Sequence, residues 1–172
     1  MKKIIICGPG GSGKDYLAKA LSEKLSLVKD VSYTSRPPRE GEINGIDYNF
    51  VSVQEFESMI EKDMFFEYDC FIPEKKWYYG ASKKGFDSSN IFIKTVKGIA
   101  QIPKHLRQEC LVIYLNPDEQ IREERLSKRV GMQDSIKRRI YTDKLDFERF
   151  TDYDIQITDP FFNVDELILK LS

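Results

Sequence analysis

The chain has little of what several common chemistries need. Of its 172 residues only three are cysteines and only one is a histidine. Cys7, Cys70 and Cys110 show neither C-x-x-C nor C-x-C spacing, which argues against a thiolate metal site or a disulfide framework. Cys7 and Cys110 adjoin apolar runs, where a free thiol packs as a small hydrophobe. His105 lies in the polar stretch Pro103-Lys104-His105-Leu106-Arg107, which predicts a surface residue and not a catalytic one. An excess of one charge is also missing, because 32% of residues are charged yet the formal net charge is -1. No global field therefore recruits nucleic acid, and any anion site must be built locally. The apolar run after Met1-Lys2-Lys3 stops at Gly8, too short for a signal peptide, and no later run reaches membrane-spanning length. These absences predict a soluble, cytoplasmic protein with no nucleic-acid or membrane partner.

With 41% apolar residues, a chain of this length is one domain, able to bury roughly 70% of its unfolded surface. Apolar, β-rich runs recur at Ile4 to Cys7, Ile91 to Ile93, Leu111 to Leu115 and Asp154 to Thr158, most of them followed by helical patterns. That alternation predicts an α/β fold with a parallel sheet flanked by helices. Residues 34–87 break the rhythm with Pro37-Pro38, Gly41, Gly45 and a single helical stretch from Gln54 to Lys62. They read as an inserted small α+β domain, partly antiparallel, between core segments 1–33 and 88–172. Pro117 opens a helical pattern that Gly131 interrupts before a second run from Ser135 to Phe150. A helical lid over about 128–148 is the expected result.

The strongest local signal is Gly8-Pro9-Gly10-Gly11-Ser12-Gly13-Lys14-Asp15. Glycines let the backbone curl so that its N–H groups face phosphate oxygens, and Lys14 brings an ammonium to the terminal phosphates. A β-rich run precedes the loop, and Leu17, Leu21 and Leu25 follow it at helical spacing, which is the context a phosphate-binding loop of P-loop NTPase type requires. The pattern expects Ser or Thr where Asp15 stands, a substitution that touches the magnesium site. The lid region carries Arg122, Arg125, Lys128, Arg129, Lys137, Arg138 and Arg139. Such a run can be a solvated helix with internal ion pairs, but beside a phosphate loop it supplies the cations that phosphoryl transfer needs.

A second anion site is legible at Arg36-Pro37-Pro38-Arg39, where prolines hold two guanidinium forks in a defined relation suited to one phosphate dianion. Tyr48 and the pair Tyr78-Tyr79 offer neutral hydroxyls to complete that cage.

The strings GPGGSGK, VSYTSRPPREGEINGIDYNFVSVQEF, MFFEY and YYGAS, in this order, resemble the guanylate kinases over nearly the whole chain. The resemblance implies transfer of a phosphoryl group from ATP, with Mg2+, to a nucleoside monophosphate, GMP or dGMP favoured, in a monomer or homodimer. It implies that Arg36, Arg39, Tyr48 and Tyr79 hold the acceptor phosphate and that Ser32 and Glu67 read the guanine edge. It also implies that Arg125, Arg129 and Arg139 close over the transferring charge, with Arg138 an alternative to Arg139. Two departures stand out. Ala81 replaces a hydroxyl residue, leaving Ser82 next to it as the nearest substitute, and Ile93 and Thr95 replace the aspartates of a D-x-D pattern. Asp15 is either a relocated metal ligand, favoured on the first turn of the loop helix, or merely a cap of that helix, a water-bound metal then needing neither group. The alternatives to a guanylate kinase are a kinase for another (deoxy)nucleoside monophosphate and a non-catalytic module that binds a phosphoprotein.

Overall fold

Strand β1 (Lys3–Cys7) forms because Ile4, Ile5 and Ile6 are β-branched and find apolar cover on both faces, which a central strand of a parallel sheet provides. The computed structural model describes residues 2–129 and 135–171. After the glycine loop come α1 (Lys14–Leu25), β2 (Tyr33–Thr34), β3 (Asn49–Phe50), α2 (Val53–Glu61), β4 (Phe65–Ile72), β5 (Trp77–Ser82) and α3 (Lys83–Ser88). The chain continues through β6 (Ile91–Ile93), α4 (Val96–Ala100), α5 (Lys104–Arg107), β7 (Cys110–Leu115), α6 (Glu119–Ser127), α7 (Ile136–Phe147), β8 (Ile155–Ile157) and α8 (Val164–Leu171).

The main sheet has the order β6-β1-β7-β8, with every pairing parallel. Period-two alternation then divides its core. Ile4 and Ile6 of β1 join Ile113 and Leu115 of β7 under α1 and α8, packing on Leu17, Leu21, Val164 and Leu167. Ile5 and Cys7 face the other way and join Val112, Tyr114, Phe92, Phe86 and Ile99. The four expected core strands are all present, and the three cysteines are free thiols.

The insert carries a second sheet of order β3-β2-β5-β4, in which β2 and β3 run parallel and the other pairings are antiparallel. Its own small core forms where Phe56 of α2 stacks on Phe65 and Tyr78, with centroids 4.4 and 5.1 Å apart. A capping box starts α2: Ser52 Oγ accepts from the Glu55 N–H, and Glu55 accepts from the Ser52 N–H in return. The helix expected to open at Pro117 begins at Glu119, with Asp118 as its N-cap, and the run expected over Ser135 to Phe150 is helical from Ile136 to Phe147. Gly131 and Asp134, the expected lid interruption and a carboxylate near it, lie outside the described residues. Among the described residues no helix is long and apolar enough to cross a membrane.

Candidate active site

A cavity of about 450 Å3 opens where the loop after β1, the insert sheet and the face of α7 meet. At its floor the chain turns without side chains. Gly11 has φ +77°, and a Cβ there would stand 2.7 Å from the backbone oxygen of Arg122, so only glycine lets the loop rest directly on α6. Gly13, at φ +99°, starts α1. Lys14 Nζ folds back over the loop and donates to the carbonyls of Gly8 at 2.7 Å and Pro9 at 3.0 Å. Burial first, then the Arg139 charge, lower the Lys14 ammonium from 10.5 to about 8, against the opposing pull of Asp15 and Asp143. Lys14 is half-buried and lines the cavity.

Two buried donors at this floor have no hydrogen-bond partner among the described residues, Ser12 Oγ and Arg139 Nε. Orphaned buried donors are costly, and a glycine loop surrounded by them is chemically suited to an anion rich in acceptor oxygens. One loop donor is already used: the Gly10 N–H donates to Oδ2 of Asp143 at 2.7 Å. Asp143 lies on α7 and is almost fully buried, so a carboxylate from the lid helix latches directly onto the phosphate loop. Sequence reasoning missed it, since a lone Asp among the charges of a solvated-looking helix carries no signal until α7 is folded over the loop.

The lid cations divide by position. Arg125 is tied down, donating to the Gly11 carbonyl at 3.2 Å and to the Pro160 carbonyl at 2.8 Å. Arg129 and Arg139 line the cavity with it. The Arg139 guanidinium lies 4.5 Å from the Phe71 ring of β4, bridging α7 to the insert. Arg138 stands over the same ring at 5.6 Å, bonds Thr142 on its own helix and does not line the cavity, so of the two candidates Arg139 is the one facing it. Arg122 is buried beneath the loop, with Nη1 3.9 Å from Asp143. His105 is exposed on α5, away from the cavity.

Arg36, Arg39, Tyr48 and Tyr79, the residues expected to cage a phosphate, come together on the same cavity. Arg36 is 3% exposed; its Nε donates to the Tyr79 hydroxyl at 3.0 Å, Nη1 to the Pro37 carbonyl at 2.6 Å and Nη2 to Glu42 Oε1 at 2.8 Å. Glu42 Oε2 accepts from the Arg39 N–H at 2.6 Å, so one carboxylate holds both arginines in register. Burial pushes the Glu42 carboxyl up, but the bonds from Arg36 and Arg39 outweigh it and leave the carboxyl below its ordinary value. Glu42 was missed as a site residue, although it sits inside the motif that placed its neighbours. Burial, then the charges of Arg36 and Arg129, lower the Arg39 guanidinium, so Arg129 of the lid reaches the cage electrostatically. Tyr48 meets Tyr79 edge-on at 5.8 Å, and burial holds its phenol far above the usual range, a neutral donor at any working pH.

Ser32 and Glu67, the residues expected to read a base, line the cavity together with Asp30 and Lys94. Ser32 Oγ donates to Asp30 Oδ2 at 2.6 Å, and Glu67 Oε1 accepts from the Ala81 N–H at 3.2 Å. Ser82 stands outside the cavity lining: its Oγ accepts from the Gly85 N–H and caps α3. Ile93 and Thr95 do line the cavity. Thr95 caps α4 and donates to Asp69 Oδ2 at 3.3 Å, so a carboxylate from β4 stands beside one of the two expected vacancies. Asp69 and Lys94 are further residues the sequence reading did not single out.

Among the described residues no group of three His, Cys, Asp or Glu side chains is arranged to hold a metal ion. Mg2+ commonly keeps several waters and takes one or two carboxylates together with substrate phosphates, so it does not need such a group. Asp15 is exposed in the first turn of α1, whose N-cap is Gly13, so it does not cap the helix; it lines the cavity, where its charge partly opposes the lowering of Lys14 and adds to the raising of Tyr48. One carboxylate between the phosphate loop and the acceptor cage fits that ion.

A family model described as Guanylate kinase matches residues 1–171. A guanylate kinase of Helicobacter pylori is 32% identical over 178 residues, covering 98% of this chain and 85% of its own. One from Idiomarina loihiensis is 33% identical over 172 residues, covering 93% and 80%. The crystal structure of guanylate kinase from Anaplasma phagocytophilum has a similar fold, with TM-score 0.71 and 21% identity over 99% of this chain and 81% of that one.

Proposed function

The chain belongs to the guanylate kinase family and phosphorylates GMP to GDP at the expense of ATP, and from that premise we propose how its residues divide the work. The loop Gly8 to Gly13 and Lys14 hold the ATP phosphates, while Arg36, Arg39, Tyr48 and Tyr79 hold the GMP phosphate. A GMP phosphate oxygen attacks the γ-phosphorus as its bond to the β-bridging oxygen breaks, and ADP leaves with that electron pair. No protein group forms a covalent bond, so catalysis rests on positioning and charge neutralisation. Arg129 and Arg139 face the gap between donor and acceptor; Arg125 braces the loop from which the donor hangs. Glu42 ties the Arg36 side chain to the Arg39 backbone and so holds the acceptor pair together. Ser32 and Glu67 read the base, and because the grips identified are on phosphate and base, dGMP is expected to serve as well. When bound, Mg2+ neutralises phosphate charge and fixes phosphate geometry; Asp15 is the residue that would hold it, directly or through water.

The observation that carries this assignment is that Lys14 and the Arg36 cage line one cavity. Residues 34–87 supply the phosphate cage of the acceptor, the core supplies the donor loop, and Ser32 of the core joins Glu67 of the insert at the base. The free thiols at Cys7, Cys70 and Cys110 suit a reducing cytoplasm.

The test is ADP release over a panel of monophosphates, with and without Mg2+. GMP and dGMP should turn over with the metal and fail without it; silence with both alongside turnover of another monophosphate would overturn the assignment. Asp15→Asn should raise the Mg2+ concentration needed for half-maximal rate by about tenfold, of the order expected for losing one ligand-class interaction. An unchanged requirement would leave Asp15 as no more than a favourable charge on the first turn of α1.

A further inference from the structure

Lys94 follows β6 directly and is anchored there by its backbone N–H, which donates to the Ile6 carbonyl at 3.0 Å. Its side chain is 3% exposed and lines the cavity. Nζ stands 2.8 Å from Glu67 Oε1 and 3.9 Å from Asp30 Oδ2. By distance this is a buried ion pair, yet Nζ makes no hydrogen bond of acceptable geometry with any acceptor among the described residues. An ammonium has three donors, and leaving them undirected in a dry site is costly. The pair is therefore neutralised in charge but incomplete in hydrogen bonding.

We propose that Lys94 is a specificity-determining residue for the base, its ammonium donating to guanine O6 while Glu67 accepts from N1–H and the 2-amino group. The inference rests on GMP being the acceptor. Nζ and the two Glu67 oxygens supply one donor and two acceptors, the set that cytosine presents to guanine. Glu67 is held in that role from two sides. The Ala81 N–H binds Oε1, and Gly98 leaves room for Oε2, since a Cβ there would stand 2.5 Å from it. Ala81 itself offers only a methyl group, so a donor to O6 has to come from elsewhere. Adenine would turn a 6-amino donor toward the ammonium and bare N1 toward the carboxylate, and both contacts repel. Asp30, held by Ser32, supplies a second counter-charge 3.9 Å from Nζ.

The experiment compares kcat/KM of the full chain and its Lys94→Met variant for GMP, 6-thio-GMP and IMP. Sulfur is a poor acceptor at position 6, while IMP lacks only the 2-amino group that Glu67 would read. In the wild type GMP should exceed 6-thio-GMP. Lys94→Met should cut GMP and IMP in parallel by about 10- to 100-fold, the effect of losing a charged hydrogen bond, and 6-thio-GMP by less than about threefold. Equal losses for all three, or a rise in 6-thio-GMP use without a fall in GMP use, would overturn the assignment, the latter by showing that Lys94 acts only through its bulk. A rise in GMP use would also overturn it, by showing that Lys94 blocks Glu67. Should the variant fail to fold, calorimetry on the wild type decides: GMP at least tenfold tighter than 6-thio-GMP supports the proposal, and equal affinity overturns it. Failure of the wild type to use GMP at all would instead strike the functional assignment beneath it.

Discussion

Arg36 is the residue on which the acceptor site turns. Three of its five N–H donors are spent on Tyr79, Pro37 and Glu42, so its guanidinium is fixed before any phosphate arrives, with two donors left to meet it. Such preorganisation means a phosphate meets a cation already in place. Arg36→Met should therefore raise the KM for GMP on the order of 100-fold, the loss of one to two charged hydrogen bonds, with a smaller change in the KM for ATP. Steady-state kinetics with each substrate varied in turn would show equal changes in both constants if the residue were merely structural. Lys14 makes a different kind of prediction. With its ammonium lowered to about 8, kcat/KM for ATP should be level below that pH and fall above it as the phosphate-binding charge is lost. Stability of the substrate-free protein should move the opposite way. The unfolded chain keeps the proton to about pH 10.5 while the folded chain has released it, so stability from this group rises between about pH 8 and 10.5. Thermal melts at pH 7 and 9.5 should show that rise in the wild type and a smaller one in Lys14→Met.

Among the elements, α7 does most to shape the site. It is attached to the donor loop through Asp143 and to the insert through Arg139 over Phe71. The Asp143 latch is two-edged, because its carboxylate satisfies the Gly10 N–H but brings negative charge to where a polyphosphate must bind. Asp143→Ala should lower the stability of the substrate-free protein by about 1–3 kcal/mol, the usual effect of orphaning a buried donor. It should at the same time tighten ATP a few-fold, since like charge is removed from the loop. Urea unfolding and ATP calorimetry measure the two separately. Asp143→Asn, which keeps an acceptor without the charge, should retain most of the stability and still tighten ATP. Weaker ATP binding in both variants would show instead that Asp143 shapes the loop for phosphate. The sequence anticipated α7 as a cationic helix near residues 135–150, because arginine clusters and helical spacing are local. It could not show which of Arg138 and Arg139 faces inward, since that depends on the rotation of the helix against the loop.

At the scale of the whole molecule, two sheets with separate apolar cores both line one cavity, the core bringing the glycine loop and the insert the Arg36 cage. A ligand that spans both should couple them. An adenosine–guanosine pentaphosphate at 100 times its Kd should stabilise the chain by about 2.7 kcal/mol. For a protein of this size that corresponds to a Tm increase of roughly 5–10 °C. ATP and GMP at matched saturation should each give the same shift alone, but the linked compound should reach it at far lower concentration. If its Kd is no better than that of ATP, donor and acceptor do not share the cavity in the way described.

By itself the sequence determined the class of the site. The phosphate loop, the strand and helix around it, the arginine pair with its prolines and the alternating core strands are all local patterns, fixed by periodicity, backbone freedom and charge spacing within a few residues. Only the tertiary structure decided how the remote groups meet. Asp143 reaches Gly10 across 133 positions, Thr95 meets Asp69 across 26, and Lys94 meets Glu67 from a different strand of a different sheet. Such contacts leave no mark in spacing, because nothing in a neighbouring residue changes when a distant chain segment folds against it. A loop that binds phosphate can be read from eight residues; which groups crowd that phosphate, and which edge of a base they read, waits on the fold that brings them together.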